Sequence, residues 1–244
     1  MRIDAAAYAC RWQDVTPAAK ALFALAGVAA AWLARTPGTL AVLALLSMFA
    51  TLGGARVPMR SYFAVAVAPL GFLLLSCLTM LVTAANGGGW RWAPELLPAV
   101  THIALRSLAA LAAVLGLVLT TPMPALLALL RSLRVPELLL DLMALCYRMQ
   151  FVLRQAWDDG STAQAARLGH CGMRQQWRSM GLLAGQMAVQ VWQRASALQM
   201  AADARAFRGS LRFMPASFPH ARRQFVVSLL ASTLLLAFSL RDHV

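Results

Sequence analysis

The chain of 244 residues is 60% hydrophobic and carries a net charge of +13 at neutral pH. A soluble domain of this length is far less apolar, so the composition excludes an ordinary water-soluble domain and predicts an all-α integral membrane protein. Only one of the 22 basic residues, Lys20, is a lysine. Arginines interleaved with long apolar helices favour contact with anionic lipid over nucleic acid, which would need a basic stripe with stacking aromatic residues.

The first twenty residues carry five charges and no apolar core, so we expect no cleavable signal peptide. Five apolar runs follow that are long enough, or nearly long enough, to cross a bilayer, which takes about 20 residues. These runs cover residues 17–34, 39–52, 61–83, 96–120 and 225–240. Residues 86–92 read as a loop with interfacial tryptophans between the third and fourth runs. The sequence therefore predicts about five transmembrane helices.

The distribution of arginine orients these helices. With the N-terminus inside, only Arg35, Arg91 and Arg241 lie outside, Arg106 lies within a span, and all other basic residues lie on the cytoplasmic side. The positive-inside rule favours this orientation, which we expect in the cell inner membrane. The predicted division is a membrane part over 1–120, a cytoplasmic helical region over 121–222, and a last span with the C-terminus over 223–244.

The region between the fourth and fifth spans is predicted to be helical. A short amphipathic helix begins at Pro122 and Pro124 and is expected to lie flat on the membrane. A second helix runs from Pro136 to about Asp158 and is apolar nearly all round, so we expect it to be buried or to dip into the interface. Residues 158–161 read as a break with Ser161 or Thr162 capping the next helix, and residues 172–209 form a further helix.

Two arginine motifs close helical runs in this region, Ala166-Arg167-Leu168-Gly169 and Ala204-Arg205-Ala206-Phe207-Arg208-Gly209. One interpretation is ordinary capping, in which arginine complements the helix dipole and the following glycine takes the left-handed conformation. The other is docking, in which two exposed guanidinium groups bind carboxylates of a soluble partner through forked hydrogen bonds.

Other chemistry is not indicated. There is no GxxxxGK[ST] loop to hold ATP phosphates, and the cysteines show no CxxC spacing. The four histidines, His102, His170, His220 and His243, are scattered and are joined by no carboxylate or cysteine cluster. We therefore expect no catalytic residue, no bound metal and no cofactor on this chain.

Four segments together resemble the CbiQ family, the transmembrane T components of energy-coupling-factor importers for cobalt and nickel. They are Ile3-Asp4 with Tyr8, Arg11, Pro17 and Lys20; residues 120–127; residues 134–138 leading to Tyr147-Arg148; and residues 163–169. The resemblance implies that the arginine motifs end coupling helices that dock on two ATP-binding-cassette ATPases, which carry the ATP and Mg²⁺. It also implies a CbiM-like substrate-binding membrane subunit and a small CbiN-like accessory subunit as partners.

Carried onto this sequence, the docking residues are Ala166, Arg167, Gly169, Ala204, Arg205 and Arg208. The second motif departs from the family pattern, because Ala206 replaces a glycine and Arg208 stands where an acidic residue is common. We therefore expect this helix to end a turn later, at Gly209. His102 and Arg106, one turn apart in the fourth span, are candidates for contact with the substrate-binding subunit, or else they pack within the bundle.

Three alternatives remain open. A T component for nickel, biotin or another vitamin would carry the same arginine tips, although residues 120–127 favour the metal group. A membrane-embedded transferase or phosphatase would need facing carboxylates or histidines, which do not cluster here. A surface-bound lipid or nucleic-acid binder is disfavoured by five spans.

Overall fold

A computed structural model describes residues 7–8, 10–84, 90–92, 94–169, 171–206 and 221–243. The helices are α1 (Pro17–Leu33), α2 (Pro37–Phe49), α3 (Met59–Leu81), α4 (Leu97–Thr120), α5 (Met123–Ser132), α6 (Glu137–Ala166), α7 (Met173–Ala204) and α8 (Ala221–Leu240). A π-helical turn, Ala50–Gly54, extends α2, and short 3-10 turns cover Arg11–Asp14, Pro94–Leu96 and Arg241–His243. The predicted all-α membrane fold is confirmed.

Among the described residues, four helices are long and apolar enough to cross a membrane: α2 with its π-turn, α3, α4 and α8. Helix α1 lies at the first predicted span but has 17 residues, the lower limit for spanning. Its role as a fifth transmembrane helix therefore stays a prediction.

The chain between α3 and α4 differs from the predicted loop. Helix α3 ends at Leu81, and strand β1 (Val82–Ala84) pairs antiparallel with β2 (Trp90–Trp92). Valine, threonine and tryptophan favour extended backbone, which accounts for the pairing. The other residues of the expected loop, 86–89, lie outside the described residues.

Small side chains let the membrane helices pack closely. Helix α1 contacts α4 and α8, and its Ala30 and Ala31 are fully buried with Ala109 of α4. At Gly27 a Cβ atom would lie 3.0 Å from the Cβ of Ala113. Close backbone approach through small residues is the usual way for helices to associate in a bilayer, where lipid removes the hydrophobic drive.

Buried hydrogen bonds to backbone carbonyls join α1 to its neighbours. The Lys20 Nζ atom donates to the Thr120 carbonyl at the end of α4, at 2.8 Å. From α8, the Ser228 Oγ donates to the Ala19 carbonyl at 2.6 Å and the Ser239 Oγ to the Ala30 carbonyl at 2.8 Å. These bonds hold α1 at both ends of its length.

Helix α6 is continuous through Asp158, so the predicted break at 158–161 is wrong. Gly160 lies inside the helix, where a Cβ atom would meet the side chain of Leu183 from α7. The glycine therefore serves close packing of two helices rather than a turn. An ion pair one turn apart, Arg154 Nε to Asp158 Oδ2 at 3.2 Å, supports the helix at the same place.

The apolar N-terminal half of α6 is only partly covered by this chain. Leu140 and Ala144 are buried, whereas Leu138, Leu139 and Leu142 are exposed. The expected burial against other helices therefore holds for one face only, and insertion of the other face into the membrane interface stays a prediction.

The chain forms two compact units, residues 1–129 with 215–244, and residues 130–214. The first contains the membrane helices, and the second contains α6 and α7, which pack on each other. The three-part division predicted from the sequence stays a prediction.

Candidate docking site

The end of α6 has the hydrogen bonds of a Schellman motif. Arg167 is the C-cap residue, and Leu168 follows with a φ of 56°. The Gly169 amide donates to the Gln164 carbonyl at 2.8 Å, and the Leu168 amide donates to the Ala165 carbonyl at 3.1 Å. These bonds fix the direction in which the chain leaves the helix, and so they hold the backbone of Arg167 at the tip of α6.

The end of α7 repeats this geometry. Arg205 is the C-cap residue with φ −95° and ψ 9°, against −93° and 17° at Arg167. Ala206 follows with a φ of 49°. Its amide donates to the Asp203 carbonyl at 3.0 Å, the equivalent of the Leu168 bond. Two arginines thus occupy the same position of two matching helix ends.

Two expectations about these ends are wrong. Leu168, not Gly169, takes the left-handed conformation after α6, and Ala206 takes it after α7. Helix α7 ends at Ala204 rather than near Gly209, because Ala206 leaves the helical conformation. Arg208 and Gly209 lie outside the described residues, so a docking role for Arg208 stays a prediction.

Gly169 has a different use from the one expected. A Cβ atom there would lie 2.6 Å from the Ser179 Oγ and 2.9 Å from the Gln164 carbonyl oxygen. The Ser179 Oγ, which is buried, donates to the Gly169 carbonyl at 3.0 Å. The glycine thus lets α7 approach the end of α6 and secures the first arginine tip.

Both arginines are exposed and available to a partner. Ala166, Arg167, Ala204 and Arg205 are all solvent-exposed. Within the described residues, neither guanidinium has a hydrogen-bond or ion-pair partner. Arginine presents planar, forked donors that match a carboxylate, so each tip can bind an acidic groove. Capping of the backbone and docking by the side chain are compatible, because the caps leave both guanidinium groups free.

Leu168 was not among the residues singled out from the sequence. Its side chain is 70% exposed beside Arg167, at the position that Ala206 occupies in the second tip. The first arginine motif could have indicated this residue, because it places a large apolar side chain directly after the arginine at a helix end. The first tip therefore offers a leucine side chain at the position where the second has only the methyl group of Ala206.

Large apolar side chains also remain exposed along α7, which the sequence analysis predicted only as a helix. Met173, Trp177, Trp192 and Met200 are among them. Exposed apolar surface of this extent is typical of an interaction face.

His102 and Arg106, which belong to α4, contact the turn between α1 and α2. The His102 Nε2 is 2.9 Å from the Arg35 carbonyl oxygen, and an Arg106 Nη donates to the Ala34 carbonyl at 3.3 Å. The Arg106 guanidinium also lies 5.8 Å from the centre of the Trp32 ring. The structure thus gives both residues contacts within the chain, and their contact with a membrane subunit stays a prediction.

No metal centre forms among the described residues, where no group of three or more His, Cys, Asp or Glu side chains comes together. His170 and His220 lie outside these ranges. The expectation that this chain binds no metal stays a prediction.

Comparison with known proteins places this chain in one family. The family model of the cobalt transport protein CbiQ matches residues 11–215. The cobalt transport protein CbiQ of Rhodobacter capsulatus is 35% identical over 221 residues, which cover 89% of this chain and 90% of that protein. The protein of the same name from Salmonella typhimurium is 27% identical, covering 85% of this chain and 97% of its own length.

A longer relative is the putative fused cobalt transport protein CbiMQ of Methanocorpusculum labreanum. It is 25% identical over 86% of this chain, which spans 37% of that protein. Family match and overall identity agree across most of the sequence, and the chain belongs to the CbiQ family of cobalt transport proteins.

Proposed function

We propose that this chain is the transmembrane coupling subunit of an ATP-driven cobalt importer of the energy-coupling-factor type. The observation that carries the proposal is the pair of matching helix ends with free guanidinium groups at Arg167 and Arg205. Two similar docking ends fit two similar partners, which we take to be ATP-binding-cassette ATPases. ATP and Mg²⁺ then belong to those partners, and this chain is not an enzyme.

A CbiM-like membrane subunit is the proposed carrier of the substrate, with a small CbiN-like subunit as a further partner. The relative whose name describes a CbiM and CbiQ fusion supports this pairing, because fused chains commonly work as one assembly. The exposed apolar side chains of α6 and α7 offer a surface for such a partner. We place the complex in the cell inner membrane with the N-terminus of this chain in the cytoplasm, on the arginine distribution.

The docking hypothesis is tested with Arg167→Ala, Arg205→Ala and the double variant, expressed with the partner genes. Removing one member of a buried charge pair costs about 2 to 5 kcal/mol, much of it from the carboxylate left unpaired. Each single variant should reduce cobalt uptake, and the double variant should lose the ATPases on purification. Lysine in place of either arginine should restore cobalt uptake only in part, because the point charge of an ammonium does not reproduce the forked donors of a guanidinium.

Arg194→Ala is the matched control, since Arg194 is an exposed arginine in the middle of α7, several helical turns from Arg205 and from the contact of Ser179 with the first tip. It should retain uptake and both ATPases. The docking hypothesis would be contradicted if the double variant took up cobalt at the wild-type rate and retained the ATPases at wild-type yield. The two motifs would then serve only as helix caps.

A further inference from the structure

A cavity of about 460 Å³ lies in the first compact unit, where α4 ends and α8 begins. Its wall is formed by α1, the end of α2 with its π-turn, α4 and α8, and it is mostly alanine, glycine and aliphatic surface. Its volume lies within the range of about 300 to 1,000 Å³ that is usual for small-molecule sites. Two cationic side chains, Lys20 and Arg223, interrupt the apolar lining.

Lys20 is the informative member of this wall, because it is the single lysine of the chain and only 6% exposed. An ammonium group has three N–H donors. Within the described residues one acceptor is present, the Thr120 carbonyl at 2.8 Å. Asp14 acts on Lys20 through space but forms no ion pair with it.

A buried cation with unmatched donors is costly unless a counter-charge or further acceptors lie beside it. The cavity is the space from which such acceptors would come. Lys20 therefore has more binding capacity than its contact with Thr120 uses.

Arg223 adds a second positive charge. Its side chain is exposed, lines the cavity and has no hydrogen-bond or ion-pair partner among the described residues. The next residue toward the N-terminus, Arg222, is equally exposed but does not line the cavity. Positive charge at one end of an apolar chamber matches a molecule with an anionic head and a hydrocarbon tail.

We propose that this cavity binds an anionic lipid, with its charged oxygen atoms at Lys20 and Arg223 and its hydrocarbon chain along the apolar wall. Three of the surrounding helices, α2, α4 and α8, are long and apolar enough to cross a membrane, so molecules of this class can reach the cavity from the bilayer. A fatty-acid carboxylate and a phospholipid phosphate share the required chemistry. Bound lipid would then fill the space between α1 and α8.

The proposal is tested with the purified full-length protein in nanodiscs of phosphatidylcholine. The probes are radiolabelled oleate, oleoyl-lysophosphatidylglycerol and, as an uncharged reference, oleyl alcohol. We expect saturable binding of one anionic probe per protein and weaker binding of oleyl alcohol. Lys20→Met should weaken binding of the anionic probe tenfold or more, as expected for losing a charge-assisted hydrogen bond, and should leave oleyl alcohol unchanged.

Arg223→Gln should weaken binding and Arg222→Gln should not, which separates the cavity from general surface charge. Because Lys20→Met also removes the bond to Thr120, Ala231→Phe provides an independent test: it fills the cavity from α8 and leaves Lys20 intact. Tighter binding of oleate identifies a free fatty acid as the ligand, and tighter binding of the lysophospholipid identifies a phospholipid.

Wild-type binding of both anionic probes by Ala231→Phe would overturn the proposal. Equal binding of oleyl alcohol and oleate in the wild type and in Lys20→Met would do the same, since the cavity would then be a non-selective apolar space.

Discussion

The Arg106 side chain contacts the turn between α1 and α2. Its guanidinium binds the Ala34 carbonyl and lies against Trp32, while its Nε is buried without a hydrogen-bond partner. A charge inside a membrane helix is costly, and these contacts with the α1–α2 turn reduce the cost. The residue thus links α4 to a turn formed by two other helices.

Replacing Arg106 by leucine should lower the free energy of unfolding of the purified protein by about 1 to 3 kcal/mol, because the Ala34 carbonyl loses its charged donor. Arg106→Lys should lie between leucine and wild type, since an ammonium can still reach the turn. Thermal unfolding in detergent measures both. A leucine variant of normal stability but poor uptake would instead point to contact with a membrane subunit.

The left-handed backbone conformation of Leu168 is strained, because it costs a residue with a side chain about 1 to 2 kcal/mol of conformational free energy. Leu168→Gly removes this strain and adds about 0.5 to 1 kcal/mol of backbone entropy cost. The variant should therefore be as stable as wild type or slightly more so, while retaining less ATPase on purification because the exposed side chain is gone.

Ala206→Gly is the matched variant, since it makes the same backbone change at the second tip and removes only a methyl group. It should keep more of the bound ATPase than Leu168→Gly does. If Leu168→Gly unfolds several degrees below wild type, Leu168 serves packing within the chain and its docking role fails.

At the scale of elements, Asp242 binds the N-cap residue of α2, Thr36, from the other end of the sequence. Its Oδ2 accepts from the Thr39 hydroxyl at 2.6 Å, the Thr36 hydroxyl at 3.0 Å and the Thr36 amide at 3.2 Å. The Thr39 hydrogen bond is the main cause that lowers the pKa of Asp242 below its usual 3.8. A carboxylate at a helix N-terminus also complements the helix dipole.

A carboxyl group with a lowered pKa stabilises the folded protein while it is ionised, and this contribution is lost as pH falls through the folded pKa. Asp242→Asn should therefore lower the melting temperature by a constant amount at pH values well above 3.8, and the difference should shrink below that value. Melting curves of both proteins from neutral to acidic pH measure it. A difference that stays the same in acid would mean that the charge of Asp242 does not matter.

The sequence predicted the positions of the helices better than it predicted their breaks and ends. Apolar runs of sufficient length locate α2, α3, α4 and α8, because lipid requires an uninterrupted hydrogen-bonded backbone. The break expected near Gly160 failed because a helical glycine and a turn glycine look alike until the opposing side chain, here Leu183, is known. The end of α6 at Arg167 was located correctly, whereas α7 ends at Ala204 and not near Gly209 as expected. The left-handed residues Leu168 and Ala206 were not predicted, because glycine is the residue that most readily takes this conformation at a helix end.

At the scale of the whole molecule, the membrane helices are joined by small residues and by hydrogen bonds to carbonyls, such as those of Ser228 and Ser239. In lipid such contacts replace the hydrophobic effect as the source of helix association. The second unit also leaves large apolar side chains of α6 and α7 exposed. An assembly partner or the membrane interface is the expected cover for that surface.

The orientation of the whole chain can be tested at two glycines. Gly38, at the start of α2, and Gly172, before α7, are both exposed, and a Cβ atom at either would meet nothing within 4 Å. In a background without the native cysteines, Gly38→Cys should react with a membrane-impermeant maleimide added to intact cells. Gly172→Cys should react only after the cells are opened, because the positive-inside rule predicts that residues 121–222 lie inside. Labelling of Gly172→Cys in intact cells, with Gly38→Cys protected, would reverse the orientation and place both arginine tips on the side away from cytoplasmic ATPases.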